Sequence, residues 1–142
     1  MINVPVFEPG EFLTIQKIVT EDDTAVHYGS GALDTLMATP SLVALMIEAA
    51  TRLVDSRLPE GYVSVGKSLS ITHEKPTILG ETVTIKVSVV SQESNYIQLE
   101  MEAFDEEGVI GHGKLDRFVV NKMRLMEKAA EEAISNQIGV NV

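Results

Sequence analysis

The sequence contains no cysteine and no tryptophan, and it has few cationic side chains. The absence of cysteine excludes disulfide bonds, zinc–thiolate sites and a cysteine nucleophile. Eleven lysine and arginine residues against 21 aspartate and glutamate residues give a formal net charge of −10. This charge repels phosphate backbones and anionic lipid headgroups, and the few aromatic residues leave little surface for base stacking. We therefore expect neither nucleic acid nor a membrane surface as a partner.

Long apolar segments are missing as well. No stretch approaches the roughly 18 residues that a membrane span needs. The N-terminal residues do not combine a basic region with an apolar one, as a targeting segment would. These features favour a cytoplasmic protein. The 142 residues suit one domain of about 100–150 residues, so residues 1–142 are predicted to form a single domain.

The clearest periodic segment is a helix that begins near Thr39. Thr39 has the residue type of an N-cap, and Pro40 fits the first helical position because its missing N–H is not needed there. From there to Val54, apolar residues cover more than half of the helix circumference, which is typical of a buried helix. Such a helix requires a sheet wrapped around it.

Alternation of apolar and polar residues predicts five strands around this helix. The first strand precedes the helix, and the other four follow it with predicted turns between them, which indicates a meander. A terminal helix is expected to cover the outer sheet or to form a subunit contact. The chain is therefore predicted to be an α+β domain. The predicted strands span residues 12–19, 62–73, 82–90, 96–104 and 109–120, and the terminal helix spans about 122–135.

His73 is the histidine with the most informative position. It has the same strand parity as Val65, Leu69 and Ile71, so its ring should point to the apolar side of the sheet. A histidine in that place is either a hydrogen-bonded core residue or a base in a cleft. The sequence pattern leaves both interpretations open.

The other two histidines, His27 and His112, lie beside pairs of glycines, at positions 29 and 31 and at positions 111 and 113. Neither pair belongs to a P-loop or to a dinucleotide-binding fingerprint. We interpret these glycines as turn or bulge devices, and we assign surface or packing roles to the two histidines. No spacing of His, Asp or Glu is typical of a metal site, so no metal is predicted.

Two segments carry a family resemblance: LMATPSLVALM at residues 36–46 and GKSLSITH at residues 66–73. They resemble the fluoroacetyl-CoA thioesterase-like family of hotdog-fold proteins, and the likeness extends from about residue 10 to residue 125. The resemblance implies a hotdog fold, in which an antiparallel sheet wraps a long central helix. It also implies a homodimer or a tetramer, an acyl-CoA thioester as substrate, and no cofactor other than the coenzyme A of that substrate.

The family's catalytic set is a threonine at the start of the helix, a glutamate within the helix and a histidine on the following strand. Thr39 and His73 match the first and the third, but the glutamate position falls on Ile47, with Glu48 one place later. One residue turns a helical side chain by about 100°, so Glu48 is expected on the polar stripe, where it can pair with Arg52. The candidate catalytic residues are Thr39, His73 and Glu48, and the candidate substrate-binding residues are Gly66, Ile47 and Arg52.

Three functions follow from these residues. The first is hydrolysis of a small acyl-CoA thioester, with His73 as general base, Thr39 holding the carbonyl or the water, and backbone amides near the start of the helix or near Gly66 stabilising the oxyanion. The second is a non-catalytic module that binds acyl-CoA or another acyl ligand, which Ile47 at the carboxylate position favours. A hotdog dehydratase is a weaker third, because the hydratase motif and a second suitably spaced histidine are absent.

Overall fold

The computed structural model describes residues 4–140, with side chains described as far as residue 136. In this part of the chain an antiparallel sheet of five strands wraps one long helix, and a second helix follows the sheet. The predicted α+β arrangement is confirmed, with element ends that differ from the predicted ones by a few residues. The elements are β1 (Phe12–Ile18), α1 (Thr39–Asp55), β2 (Tyr62–His73), β3 (Thr82–Glu93), β4 (Tyr96–Asp105), β5 (Gly108–Asn121) and α2 (Lys122–Val140).

The strands lie in the order β1-β3-β4-β5-β2, and every neighbouring pair is antiparallel. Strands β3, β4 and β5 form the predicted meander. The prediction that β2 joins this meander through a turn is wrong, because β2 pairs with β5 at the edge of the sheet. The connection from β2 to β3 instead crosses the sheet past the start of α1, where the Met37 amide donates to the Thr77 carbonyl at 2.9 Å.

The core lies between α1 and the concave face of the sheet. Burying each aliphatic side chain of this kind contributes roughly 1.5–3 kcal/mol, so tertiary packing holds the helix in place. The predicted burial of the helix is confirmed for most of its apolar positions, but Ile47 is 39% exposed. The helix residues with no exposed surface are Leu42, Met46, Ala49, Ala50 and Val54, and they pack in one cluster with Val83, Ile85, Val87, Ile97, Leu99 and Met101.

Gly111 and Gly113 lie inside β5, where they pair with His73 and Ile71 of β2. Gly111 borders the register shift between β4 and β5, in agreement with its interpretation as a bulge device, whereas Gly113 lies within regular pairing and the interpretation is wrong for it. Both stand where the chain passes close to its neighbours. A Cβ at Gly111 would lie 2.7 Å from the Thr72 carbonyl oxygen, and one at Gly113 would lie 2.9 Å from the Ser70 carbonyl oxygen. Glycine is therefore needed at both positions for close packing.

The register of β2 against β5 shifts between Gly66 and Ser68. This bulge inserts one residue and so changes which side chains share a face. Leu69 pairs with the buried Leu115, and the His73 side of the strand faces α1 as predicted. The predicted shared parity with Val65 is wrong, because before the bulge it is Ser64 that turns inward and is buried.

Helix α2 begins directly after β5. The Asn121 side chain accepts a hydrogen bond from the Arg124 amide at 3.0 Å, which caps its first turn. Its described side chains, up to residue 136, are all exposed. The expectation that the terminal helix covers the outer sheet is therefore wrong. No helix among the described residues has both the length and the apolar character to cross a membrane.

Candidate active site

Thr39 and His73 meet at one end of the α1–β2 contact. The Thr39 Oγ1 atom lies 2.8 Å from His73 Nδ1, although the two residues are 34 positions apart in the chain. Their distance is that of a good hydrogen bond between a hydroxyl and a ring nitrogen. A hydroxyl held against an imidazole in this way can lose its proton to the ring, or can relay a proton to it from a bound water.

Thr39 does not cap α1, contrary to the prediction. The N-cap is Ala38, which has extended backbone angles and makes no side-chain capping bond, and Thr39 is the first helical residue. The amides of Ser41 and Leu42 both donate to the Ala38 carbonyl, at 3.0 and 3.2 Å. The Thr39 hydroxyl is therefore free of a capping role and turns across to the ring on β2.

The segment before α1 is held by backbone contacts with residues 23 and 24. The Ala38 amide donates to the Asp23 carbonyl at 2.8 Å, and Met37 pairs with Thr24 in an isolated bridge. Asp23 is itself anchored, because its carboxylate accepts hydrogen bonds from Lys17 and from the Thr20 amide. The first turn of α1, and the Thr39 side chain with it, is fixed by this loop structure.

His73 is the last residue of β2 and lies opposite Gly111. The ring is half-buried, and burial lowers its pKa from the ordinary value of 6.5, while the backbone at Lys75 acts in the opposite direction. Burial has this effect because it disfavours the charged imidazolium. His73 is therefore held neutral near pH 7, the state that a general base needs.

The second ring nitrogen of His73, Nε2, is buried and has no hydrogen-bond partner among the described residues. Leaving such a group unsatisfied costs about 1–3 kcal/mol. Native proteins keep few groups of this kind, and those that persist call for a specific explanation such as a catalytic role or an absent ligand.

A cavity of about 400 Å³ opens beside the pair, and we call it the first cavity. Its wall is mainly apolar, and Glu74 and Lys75 are its charged residues. Ligand sites commonly combine such an apolar wall with a few polar groups. Besides Thr39, His73, Glu74 and Lys75, the lining residues are Ala25, Tyr28, Gly29, Leu33, Leu36, Met37, Ala38, Pro40 and Pro76.

Glu48 does not reach this cavity. Its carboxylate accepts a hydrogen bond from Arg52 Nη2 at 2.8 Å, and both side chains are exposed on the polar side of α1. The predicted pairing one helical turn apart is confirmed. The structure therefore brings Thr39 and His73 together and leaves Glu48 and Arg52 apart from them.

Ile47 and Gly66 line a different cavity of about 460 Å³, which we call the second cavity. Leu69, Leu115 and Arg117 belong to the same wall. Ile47 is eight helical positions from Thr39, a rise of about 12 Å, and His73 is seven strand positions from Gly66, about 23 Å. The candidate substrate-binding residues are therefore divided from the candidate reacting pair within one chain.

Arg117 is a site residue that the sequence analysis missed. It is buried, and its Nε and Nη2 atoms donate to Ser64 Oγ and to the Ser64 carbonyl, both at 2.7 Å. Asp55 in turn accepts hydrogen bonds from the Ser64 hydroxyl and amide. Burial lowers the pKa of Arg117 from its ordinary value, and the charge of Asp55 opposes this change. The parity of Arg117 with Leu115 and Val119 in β5 was the signal that could have placed it inside.

The other two histidines are exposed. His112 Nδ1 lies 3.4 Å from a Glu74 carboxylate oxygen, and His27 Nε2 lies 3.8 Å from Asp22. Among the described residues, no cluster of three or more His, Asp or Glu side chains has the arrangement of a metal site.

Comparison with known proteins places this geometry in context. A family model described as fluoroacetyl-CoA-specific thioesterase matches residues 19–123. A hot-dog-like protein from Thermanaerovibrio acidaminovorans is 32% identical, with 89% of this chain and 93% of that chain covered and a TM-score of 0.83. No match was found among curated protein sequences.

The fluoroacetyl-CoA thioesterase FlK is 26% identical, with coverage of 89% and 98% and a TM-score of 0.83. Its solved structures include complexes with acetyl-CoA and with fluoroacetate and CoA. A thioesterase superfamily member from Thermus thermophilus, at 21% identity, has a TM-score of 0.81 over 94% of this chain and 96% of that one, a likeness of fold alone. The hotdog fold expected from the sequence is confirmed.

Proposed function

The chain belongs to the fluoroacetyl-CoA-specific thioesterase family, and on this basis we propose that it hydrolyses a small acyl-CoA thioester at the Thr39–His73 pair. The observation that carries the proposal is the 2.8 Å contact of a threonine hydroxyl with a neutral imidazole at the wall of the first cavity. Family membership supplies the substrate class, and the FlK complexes with acetyl-CoA and CoA support it.

In the proposed reaction a water molecule attacks the thioester carbonyl carbon. Thr39 donates its hydroxyl proton to His73 Nδ1, and the water passes a proton to that hydroxyl, so the ring becomes an imidazolium while the tetrahedral oxyanion forms. The carbon–sulfur bond then breaks, and the imidazolium returns the proton to the coenzyme A thiolate. The products are a carboxylic acid and coenzyme A. General-base assistance of this kind is worth about 10²–10⁴-fold.

The oxyanion requires donors at the start of α1. The amides of Ser41 and Leu42 already donate to Ala38, so the proposal assigns the Thr39 amide to the oxyanion. Gly66 is too far along β2 to serve in the same protomer. No cofactor is required beyond the coenzyme A of the substrate.

We further propose a homodimer joined through β2. This strand is 12 residues long and lies at the edge of the sheet, with Leu69 38% exposed beside the exposed Ile47. A long edge strand with exposed apolar side chains is a template for pairing with another chain. Antiparallel pairing centred near Leu69 would place Gly66 opposite the partner's His73. The second cavity of one protomer would then adjoin the first cavity of the other.

Because CoA thioesters are intracellular metabolites, the proposal places the protein in the cytoplasm. The test is release of coenzyme A thiol from short, branched and aromatic acyl-CoA thioesters by the purified protein. We expect release from at least one of them, and a loss of release in the Thr39→Val variant. Absence of thiol release from the whole panel, or undiminished release by Thr39→Val, would contradict the proposal.

A second function is favoured by one observation. The resemblance implies a glutamate where Ile47 stands, and Glu48 is engaged with Arg52. Without a carboxylate at this position, the chain would bind an acyl-CoA but not hydrolyse it. The Ile47→Glu variant separates the two functions: if a binding protein has lost only its carboxylate, thiol release should appear in this variant and be absent from the wild type. Ile47→Gln is the matched control, since it has similar size without the charge.

A further inference from the structure

Helix α2 presents an apolar surface that nothing in the described part of the chain covers. Met123, Met126 and Ile134 are 71%, 60% and 58% exposed, and Ala130 and Ala133 are exposed between them. At roughly 100° per residue these five residues fall within about 100° of arc. We call this surface the α2 stripe.

The α2 stripe faces away from the rest of the protein. The groove between α2 and the sheet is lined on the helix by Arg124, Leu125 and Lys128. These three residues project on the side of the helix about 180° from the stripe. The apolar side of α2 is therefore the outer one, which is the reverse of what packing on its own sheet would require. Such an arrangement is typical of a surface that meets another molecule.

The spacing of the stripe suits a second copy of the same helix. Met123, Met126, Ala130 and Ala133 are separated by three, four and three residues, the spacing of a two-helix seam. If two copies run antiparallel with Met126 of one against Ala130 of the other, Met123 falls against Ala133. Each large side chain then meets a small one, whereas a parallel pair in register would set methionine against methionine.

The charges of α2 also favour antiparallel pairing. Residues 122–128 contain three cationic side chains and one carboxylate, and residues 129–136 contain two carboxylates and no cation. Antiparallel pairing sets the basic half of each helix against the acidic half of the other. This complementarity is between whole halves of the helix, because Arg124 and Lys128 themselves lie on the side away from the stripe. Lys128 lies 4.0 Å from Glu132 of its own helix.

We propose that the α2 stripe is an interface for α2 of a second copy of this chain, with the two helices antiparallel. A pair of helices this short buries less than the roughly 1,200 Å² of a standard interface. The contact is therefore weak by itself, and it joins units that are already assembled through another surface. Its existence does not depend on thioesterase activity.

Sedimentation velocity over a range of protein concentrations tests the interface. Wild type should show a larger species that Met126→Glu weakens by at least about tenfold in concentration, because two unpaired carboxylates would be buried. Ser135→Glu adds the same charge on the polar side of α2 and should leave the distribution unchanged. Equal distributions for wild type and Met126→Glu would overturn the proposal. Lipid vesicle binding that Met126→Glu abolishes, without any change in protein assembly, would overturn it too.

The direction of the helices is tested by disulfide formation, since the chain has no cysteine of its own. An equimolar mixture of Met126→Cys and Ala130→Cys proteins should form the mixed disulfide faster than either variant forms a disulfide with itself. Faster self-crosslinking of Ala130→Cys would indicate parallel helices and overturn the proposal.

Discussion

Helix α1 and strand β2 contribute to both cavities, yet the cavities differ in whether their buried polar groups have hydrogen-bond partners. In the second cavity the buried Arg117 donates to Ser64 twice, and Asp55 supports the serine. In the first cavity the His73 ring has one side-chain hydrogen bond, with Thr39, and a buried nitrogen without a partner among the described residues. A satisfied network stabilises a fold, whereas an unsatisfied group beside a cavity is suited to binding and chemistry.

The largest expected effect is on kcat, and it comes from a substitution beside the first cavity. Replacing His73 with alanine should lower kcat for thioester hydrolysis by about 10²–10⁴-fold, because the general base is removed. The measurement is thiol release at saturating acyl-CoA, with thermal unfolding to confirm that the variant is folded. His112→Ala is the matched control and should retain activity, since His112 is exposed and pairs with Glu74. Equal activity of the two variants would show that His73 is not the base.

The next largest effect is on stability, and it comes from a substitution in the wall of the second cavity. Arg117→Met should lower the free energy of unfolding by about 2–4 kcal/mol, because Ser64 loses a buried cationic donor and Asp55 loses a nearby positive charge. Chemical denaturation measures this change. Lys114→Met, an exposed substitution on the same strand, should change stability by less than about 0.5 kcal/mol. If Arg117→Met were as stable as Lys114→Met, the structural role of the network would be refuted.

A third prediction compares one glycine beside each cavity. Gly111→Ala should cost about 1–3 kcal/mol, because its Cβ would lie 2.7 Å from the Thr72 carbonyl oxygen and must displace β2 near His73. At Gly66 an added Cβ would meet its nearest neighbours at 3.6 and 3.7 Å, an ordinary contact. Gly66→Ala should therefore be tolerated. The two unfolding free energies decide the comparison, and equal values would contradict it.

The smallest expected effect is on stability, and it concerns the Glu48–Arg52 pair, which lies outside both cavities. Glu48→Gln should lower stability by about 0.3–0.5 kcal/mol, the usual value of an exposed pair one helical turn apart. The kcat of the variant should stay that of the wild type, because Glu48 bonds to Arg52 on the exposed side of α1. A loss of turnover comparable to that of His73→Ala would return Glu48 to the catalytic residues.

Periodicity predicted the strands and the buried helix because burial on one face leaves a direct mark on the sequence. Strand parity singles out His73 and the start of the helix singles out Thr39, while the family resemblance assigns both to one site. Their contact follows once α1 packs on β2. The pairing of β2 with β5 could not be predicted, since β2 and β3 are adjacent in the chain and each alternates equally well. The side chain of Val65 was misplaced because a bulge leaves no trace in the alternation on either side of it.

Arg117 and Gly111 show a second limit of prediction from the sequence. A buried arginine is rare, so a charge within a strand suggests an outward face unless its partners are known. Its partners, Ser64 and Asp55, are more than 50 positions away in the chain. Glycine is required at position 111 because the Thr72 carbonyl oxygen lies close to it. This contact exists only in the packed sheet, so the sequence pattern could not predict it.

The most direct test of the central claim is the titration of the His73 ring followed by heteronuclear NMR, with and without a non-hydrolysable acyl-CoA thioether. Since burial lowers its pKa, His73 should titrate below pH 6.5 in the free protein and be neutral above it, so hydrolysis should rise with pH through that pKa. The thioether should shift the His73 signals and leave those of His27 and His112 in place. Unchanged His73 signals, while the thioether shifts residues elsewhere, would contradict the account.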